Sequence, residues 1–121
     1  MIVNTGLSIT TNRLRGLGTE PKFAHWGTGT TAPNGANTTL EAPAPEARVD
    51  GTSSQQTTTT AGDTYRVVAA LIATAARAIT EAGLFDALTA GNLFFRGTFP
   101  VLNLGVNDSL TLTFNTVYAR P

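Results

Sequence analysis

His25 is the only histidine in the chain and cysteine is absent, so a nucleophilic relay would have to run through that one ring with a hydroxyl as nucleophile. No Gly-x-Ser-x-Gly elbow accompanies it, and a histidine next to Trp26 in a short apolar stretch reads as a packing or hydrogen-bonding side chain. Glu81 is the second group of interest, because it interrupts the apolar run from Ile79 to Phe85, where burial would raise its pKa and make it an acid. An ion pair with Arg77 or Arg96 is the simpler role, since buried charges are paired. Glycoside hydrolysis would need a second carboxylate about 5 to 9.5 Å away, and nothing in the spacing selects Asp86 or Asp108 for it. Gly27-Thr28-Gly29 lacks the Lys-Ser/Thr ending of a phosphate loop, and one histidine with scattered carboxylates makes no metal ligand set. The chain therefore reads as a non-enzyme with no cofactor.

The elements that carry these residues are mostly strands. From Ile79 to Phe99 the sequence ITEAGLFDALTAGNLFFRGTF alternates with period two on either side of a small-residue connection, Asp86 to Asn92, which contains Gly91. That is the pattern of a β-hairpin. Pairing odd positions sets Phe85 against Leu93, Gly83 against Phe95 and Ile79 against Phe99, with a ring lying over the bare backbone of Gly83. Glu81, Gly83, Phe85, Phe95 and Phe99 are then the structural residues of the hairpin. Phe94 and Arg96 fall on its other face, there to meet a partner or to be covered by a second sheet.

Further strands are expected over Lys22 to Gly27, through the Thr-rich stretch between Ala47 and Thr60, over Thr64 to Thr74, and over Ser109 to Tyr118. Thr64 to Thr74 is apolar on both faces, which predicts a strand between two layers. Pro100 closes the hairpin and Asn103 to Asp108 turns the chain. Near the start, Asn4 or Thr5 can cap a short helix with Leu7, Leu14 and Leu17 on one side and Gly16 or Gly18 at its end; the same residues also alternate acceptably as a strand. Residues 1–4 form an N-terminal arm, and residues 28–45 a long loop, functional or partly disordered and a natural contact arm.

Taken together, 121 residues give one mainly β domain, 1–121, a β-sandwich or jelly roll with a short N-terminal helix; sandwich and open barrel remain alternatives. Charged residues make up only 13% and the formal net charge is zero, so the surface repels other copies weakly and offers no basic footprint for nucleic acid. Seven of the eight basic residues are arginine, the cation favoured in ion pairs and interfaces. No basic n-region with an apolar run, and no segment near 20 apolar residues, marks a signal peptide or a membrane span.

The runs ITEAGLFDA and GNLFFRGTF, the strand opened by NDSLTLTF, and the opening from Thr5 to Gly29 with LGTEPKFAHWGTGTT resemble a small β-rich domain of tailed-bacteriophage virions, found in head-decoration (cement) proteins and in tail-fibre proteins. The resemblance implies a non-enzymatic protein made in the host cytoplasm and carried on the capsid surface. Its partners would be the major capsid protein and other copies of itself, as a dimer or trimer, with neither nucleic acid nor membrane. A tail-fibre or tail-tip receptor-binding role is the alternative, and a small cell-wall hydrolase a third. Trp26, Phe94, Arg96 and Tyr118 are of the types enriched at interface hot spots, and Ile2 and Val3 are either a frayed end or a strand added to a neighbour's sheet.

Overall fold

A computed structural model describes the whole chain, residues 1–121. A helix, α1 (Asn4–Leu14), is followed by seven strands: β1 (Phe23–Gly27), β2 (Val49–Asp50), β3 (Thr52–Gln56), β4 (Thr64–Ile72), β5 (Arg77–Phe85), β6 (Leu93–Leu104) and β7 (Ser109–Val117). They form two antiparallel sheets, one ordered β2-β1-β5-β6 and the other β3-β4-β7, facing each other as a sandwich. No helix is long and apolar enough to cross a membrane.

The chain passes from the first sheet to the second at Gly51, between β2 and β3. Its amide donates to the Lys22 carbonyl at 2.8 Å, and a Cβ there would lie 2.6 Å from Val67 Cγ1. Only glycine lets the strand turn this corner so close to the core. Between the sheets Trp26, Val67, Leu71, Ile79, Leu84 and Phe94 are buried, with Phe95 and Phe114 in edge-to-face contact at 5.7 Å between ring centroids.

The hairpin of β5 and β6 is present, but its register differs from simple alternation. Phe85 pairs with Leu93 as expected, whereas Gly83 pairs with Arg96, Leu84 with Phe95 and Ile79 with Leu102. The physical reason is two bulges. Phe94 is an extra residue between the pairs Phe85–Leu93 and Leu84–Phe95, and residues 99–101 stand opposite Thr80 alone. The insertion at Phe94 shifts the pairing by one residue, and the second site, with three residues opposite one, shifts it by two more. On β5 itself Ala82 and Leu84 face the sandwich core, and Glu81, Gly83 and Phe85 face outward under the long loop. Pro100 does not end the strand; β6 runs through it to Leu104.

Two further expectations are corrected. β4 is central in its sheet, but only Val67, Ala69 and Leu71 are covered; Val68, Ala70 and Ile72 are exposed, because no layer lies on that side. The helix docks through Gly6 and Ile9, leaving Leu7, Leu14 and Leu17 exposed. Gly6 decides this, since its bare Cα lets α1 approach the Phe94 carbonyl. Val3 occupies the N-cap without a side-chain cap, and the helix start is held instead by Asn4 N–H to the Gly35 carbonyl and Thr5 Oγ1–H to the Leu93 carbonyl. Gly16, in the left-handed region at φ +77°, ends the helix, and Leu17 N–H donates to the Asn12 carbonyl as in a Schellman motif.

Candidate interaction surface

The outward face of β5 and β6, which carries Phe85 and Leu93 beside Glu81 and Arg96, is covered by the loop of residues 28–45, which folds back over it. Gly27 bridges Pro43 beside β1, and Leu40 inserts against Phe85, Leu93 and Val3 to make a second small core. Beneath the loop, Glu81 and Arg96 are both buried and paired, Nε to Oε1 at 3.2 Å. Glu81 accepts the amide hydrogens of Glu41 and Ala42 at 2.8 and 3.0 Å, while Arg96 donates to the Thr31 carbonyl at 2.9 Å and to Asn37 Oδ1 at 3.2 Å. One ion pair thus satisfies loop amides and carbonyls that burial would otherwise leave unpaired. Of the two partners left open for Glu81 by the sequence, Arg96 is the one; Arg77 pairs with Glu46 at 2.8 Å.

The far end of the loop is held by His25. Its Nε2 lies 3.0 Å from the Ala44 carbonyl and 2.8 Å from the Glu46 carbonyl, and two acceptors require that nitrogen to carry the proton. Nearby, the Arg48 guanidinium stacks 3.5 Å from the Phe85 ring centroid and donates to the Ala87 and Ala90 carbonyls, clamping the turn between β5 and β6.

These facts relocate most of the expected interface residues. Trp26, Val3, Phe94 and Arg96 are buried within the chain itself, so none is presented to a partner. Trp26 is on the inner face of β1. Phe94 is turned into the core by its bulge, its ring edge-on to Tyr65 at 6.4 Å, and Arg96 is covered by the loop rather than by the second sheet. Ile2 is half-buried and bridges Phe95, so the arm is an added strand on its own sheet rather than a neighbour's. Tyr118 alone of this group is well exposed, at 53%.

Two other surfaces are open. At the helix end a cleft of about 530 Å³ lies between α1 and the start of β4, lined by Ile9, Arg13, Glu20, Tyr65, Phe94 and Tyr118. Tyr65 Oη–H donates to Glu20 at 3.1 Å, and burial together with the Glu20 charge pushes the phenol's pKa up. The outer face of the β3-β4-β7 sheet is the second. Val68, 36% exposed, Ala70, and Ile72, 59% exposed, form a row on β4. Thr52 of β3 and Thr113, Thr111 and Ser109 of β7 flank that row. The alternation in β4 signalled these apolar residues, but only the absence of a third layer makes them surface. Arg48, Glu46 and Leu40 carried no sequence signal beyond residue type, because the partners of their side chains lie 28 to 53 positions away.

Comparison of the chain with protein-family models, with curated proteins and with solved structures finds no match in any of the three.

Proposed function

We propose that the chain is a non-enzymatic structural protein of a tailed-phage virion, a head-decoration protein that binds the outer surface of the major capsid protein shell. The observation that carries this reading is the Val68–Ala70–Ile72 row on the outer face of the β3-β4-β7 sheet. An exposed apolar row rimmed by hydroxyl side chains is a surface suited to burial against another protein. The latched loop supports the reading too, because a preorganised body loses little entropy on docking and many modest contacts repeated over a shell add up. The virion setting itself rests on the resemblance of the hairpin and last-strand sequences.

The test is binding to purified capsid shells that lack the chain, read by co-sedimentation and by copy number against the capsid protein. The native chain is expected to saturate at a number comparable with the capsid protein. Val68→Glu with Ile72→Glu is expected to fold and to bind about tenfold or more weakly, the cost of desolvating two charges at a contact. Equal binding by the double variant would remove this face from the interface.

The second reading, a tail-fibre or tail-tip receptor-binding protein, is favoured by the helix-end cleft. Its Tyr65 and Tyr118 rings beside Arg13 and Glu20 suit a sugar ring with polar substituents. A handful of copies per particle and a positive glycan array would select it.

A further inference from the structure

A strand at the edge of a sheet presents unpaired N–H and C=O groups, and folds blunt such edges with short strands, proline, bulges or covering segments. This sandwich does so at three of its four edges. β2 is two residues long, and beyond it the loop pairs with β1 through Thr28 N–H to the Ala42 carbonyl and Ala44 N–H to the Trp26 carbonyl. β6 is covered over its first half by the N-terminal arm, with Val3 N–H donating to Phe94 and Arg96 N–H to Met1, and its second half carries Pro100 and the bulge opposite Thr80. β3 is five residues without an aliphatic side chain.

β7 has none of these devices. Its nine residues, SLTLTFNTV, pair with β4 in unbroken register and contain no charge, proline or glycine. It is the last strand of its sheet, and no backbone hydrogen bond from the rest of the chain reaches its other side. Beside that edge the sandwich is open, with a cleft of about 250 Å³ lined by Phe95, Phe99, Leu112 and Phe114.

We infer that β7 pairs with β7 of a second copy of this chain, antiparallel about a two-fold axis passing at Thr113. The strand's own sequence argues for a second copy as occupant. In that register Leu112 meets Phe114 of the other copy on the inner face, while Thr111 meets Asn115 and Thr113 meets itself on the outer face. At the centre of the contact apolar groups therefore face apolar groups and hydroxyls face a hydroxyl or an amide, while towards its ends Leu110 meets Thr116 and Ser109 meets Val117. No charge meets its like, and a chain of zero net charge approaches its copy without long-range repulsion. The contact is isologous and closed, so it stops at two chains. It would join the two outer faces into one six-stranded sheet with both Val68–Ala70–Ile72 rows on the same side. This deepens the assembly reading and rests on it only for the use of that joined face.

The experiment uses the purified chain alone, so its result is independent of any capsid binding. Sedimentation and light scattering are expected to give about twice the 12.6 kDa of one chain. Thr113→Lys sets two ammonium groups opposite each other and is expected to weaken self-association at least about tenfold, with far-ultraviolet circular dichroism unchanged because Thr113 is exposed. The chain has no cysteine, so Thr113→Cys with a short bis-maleimide is expected to give a covalent dimer, and Thr52→Cys, on the far edge strand, none. A chain that stays monomeric at every concentration overturns the inference and leaves the edge to a strand from a different protein. A dimer indifferent to Thr113→Lys, or one cross-linked through Thr52 and not Thr113, overturns it as well.

Discussion

Arg96 Nε lies 3.2 Å from Oε1 of Glu81, fifteen residues earlier in the chain, with both side chains withdrawn from solvent and every other side-chain hydrogen bond of the pair made to the loop of residues 28–45. The pair therefore works as a latch between sheet and loop.

Removing one side of a buried pair strands the other, which costs about 3–5 kcal/mol. Glu81→Ala is expected to lower stability by an amount in that range, read as a drop in the urea midpoint. Glu81→Leu with Arg96→Met is expected to recover much of the loss, since two apolar groups leave no stranded charge. The loop amides of Glu41 and Ala42 would still lack acceptors, so recovery is incomplete. A Glu81→Ala midpoint equal to the native one would show that the latch contributes nothing.

Gly83 sits where three groups converge. A Cβ would meet the Phe95 carbonyl at 2.8 Å, Leu40 Cδ2 at 2.9 Å and Leu93 Cδ1 at 3.2 Å. The backbone carbonyl cannot move without breaking the sheet, so Gly83→Val is expected to destabilise by about 1–3 kcal/mol through overpacking and to loosen the loop at Leu40. An unaltered melting temperature would contradict that packing.

Gly6 sets two effects against each other. Alanine in a helix interior is worth about 0.5–1 kcal/mol over glycine. Here a Cβ collides with the Phe94 carbonyl and comes within 2.9 Å of Ile2 Cγ2. Collision with a fixed backbone atom outweighs propensity, so Gly6→Ala is expected to lower the melting temperature, while Thr11→Ala on the exposed side leaves it level or higher. A stabilised Gly6→Ala would mean that the helix is not held against β6.

Acid sensitivity follows from two carboxylates. The amides of Thr60 and Thr58, the Thr64 hydroxyl and the Thr59 amide hold Asp63 far below its ordinary value of 3.8. Burial pushes Glu46 up, but the Arg77 guanidinium and the backbone amides of Glu46 and Thr74 outweigh it, leaving the group below 4.5. Both folded-state values lie below the unfolded ones, so their stabilisation is present above about pH 4 and is lost as the pH falls through the depressed values. The urea midpoint should fall steeply below that pH. Asp63→Asn should lower the midpoint at neutral pH and flatten the acid limb; a variant that parallels the native chain at every pH would remove Asp63 as a cause.

The sequence by itself determined the element types and their order. Period-two alternation in β4, β5, β6 and β7, glycine at the helix end and a polar Thr-rich stretch are local properties, and they led to a mainly β sandwich with one short helix. The pairing of Glu81 was legible as a choice between two arginines, and Gly83 as a glycine with no room for a side chain, although the space is closed by Leu40, Leu93 and the Phe95 carbonyl and not by the Phe95 ring. Tertiary structure decided the faces. The bulge at Phe94 shifts the register without any residue pattern that announces it and turns Phe94 into the core, whereas Arg96, read as outward, stays on that face and is buried by the loop. Which apolar face of β4 is covered, which strand edges are guarded and what lies under the loop depend on residues far apart in sequence. Local periodicity reports that a face is apolar, whereas only the packed layers decide what, if anything, lies against it.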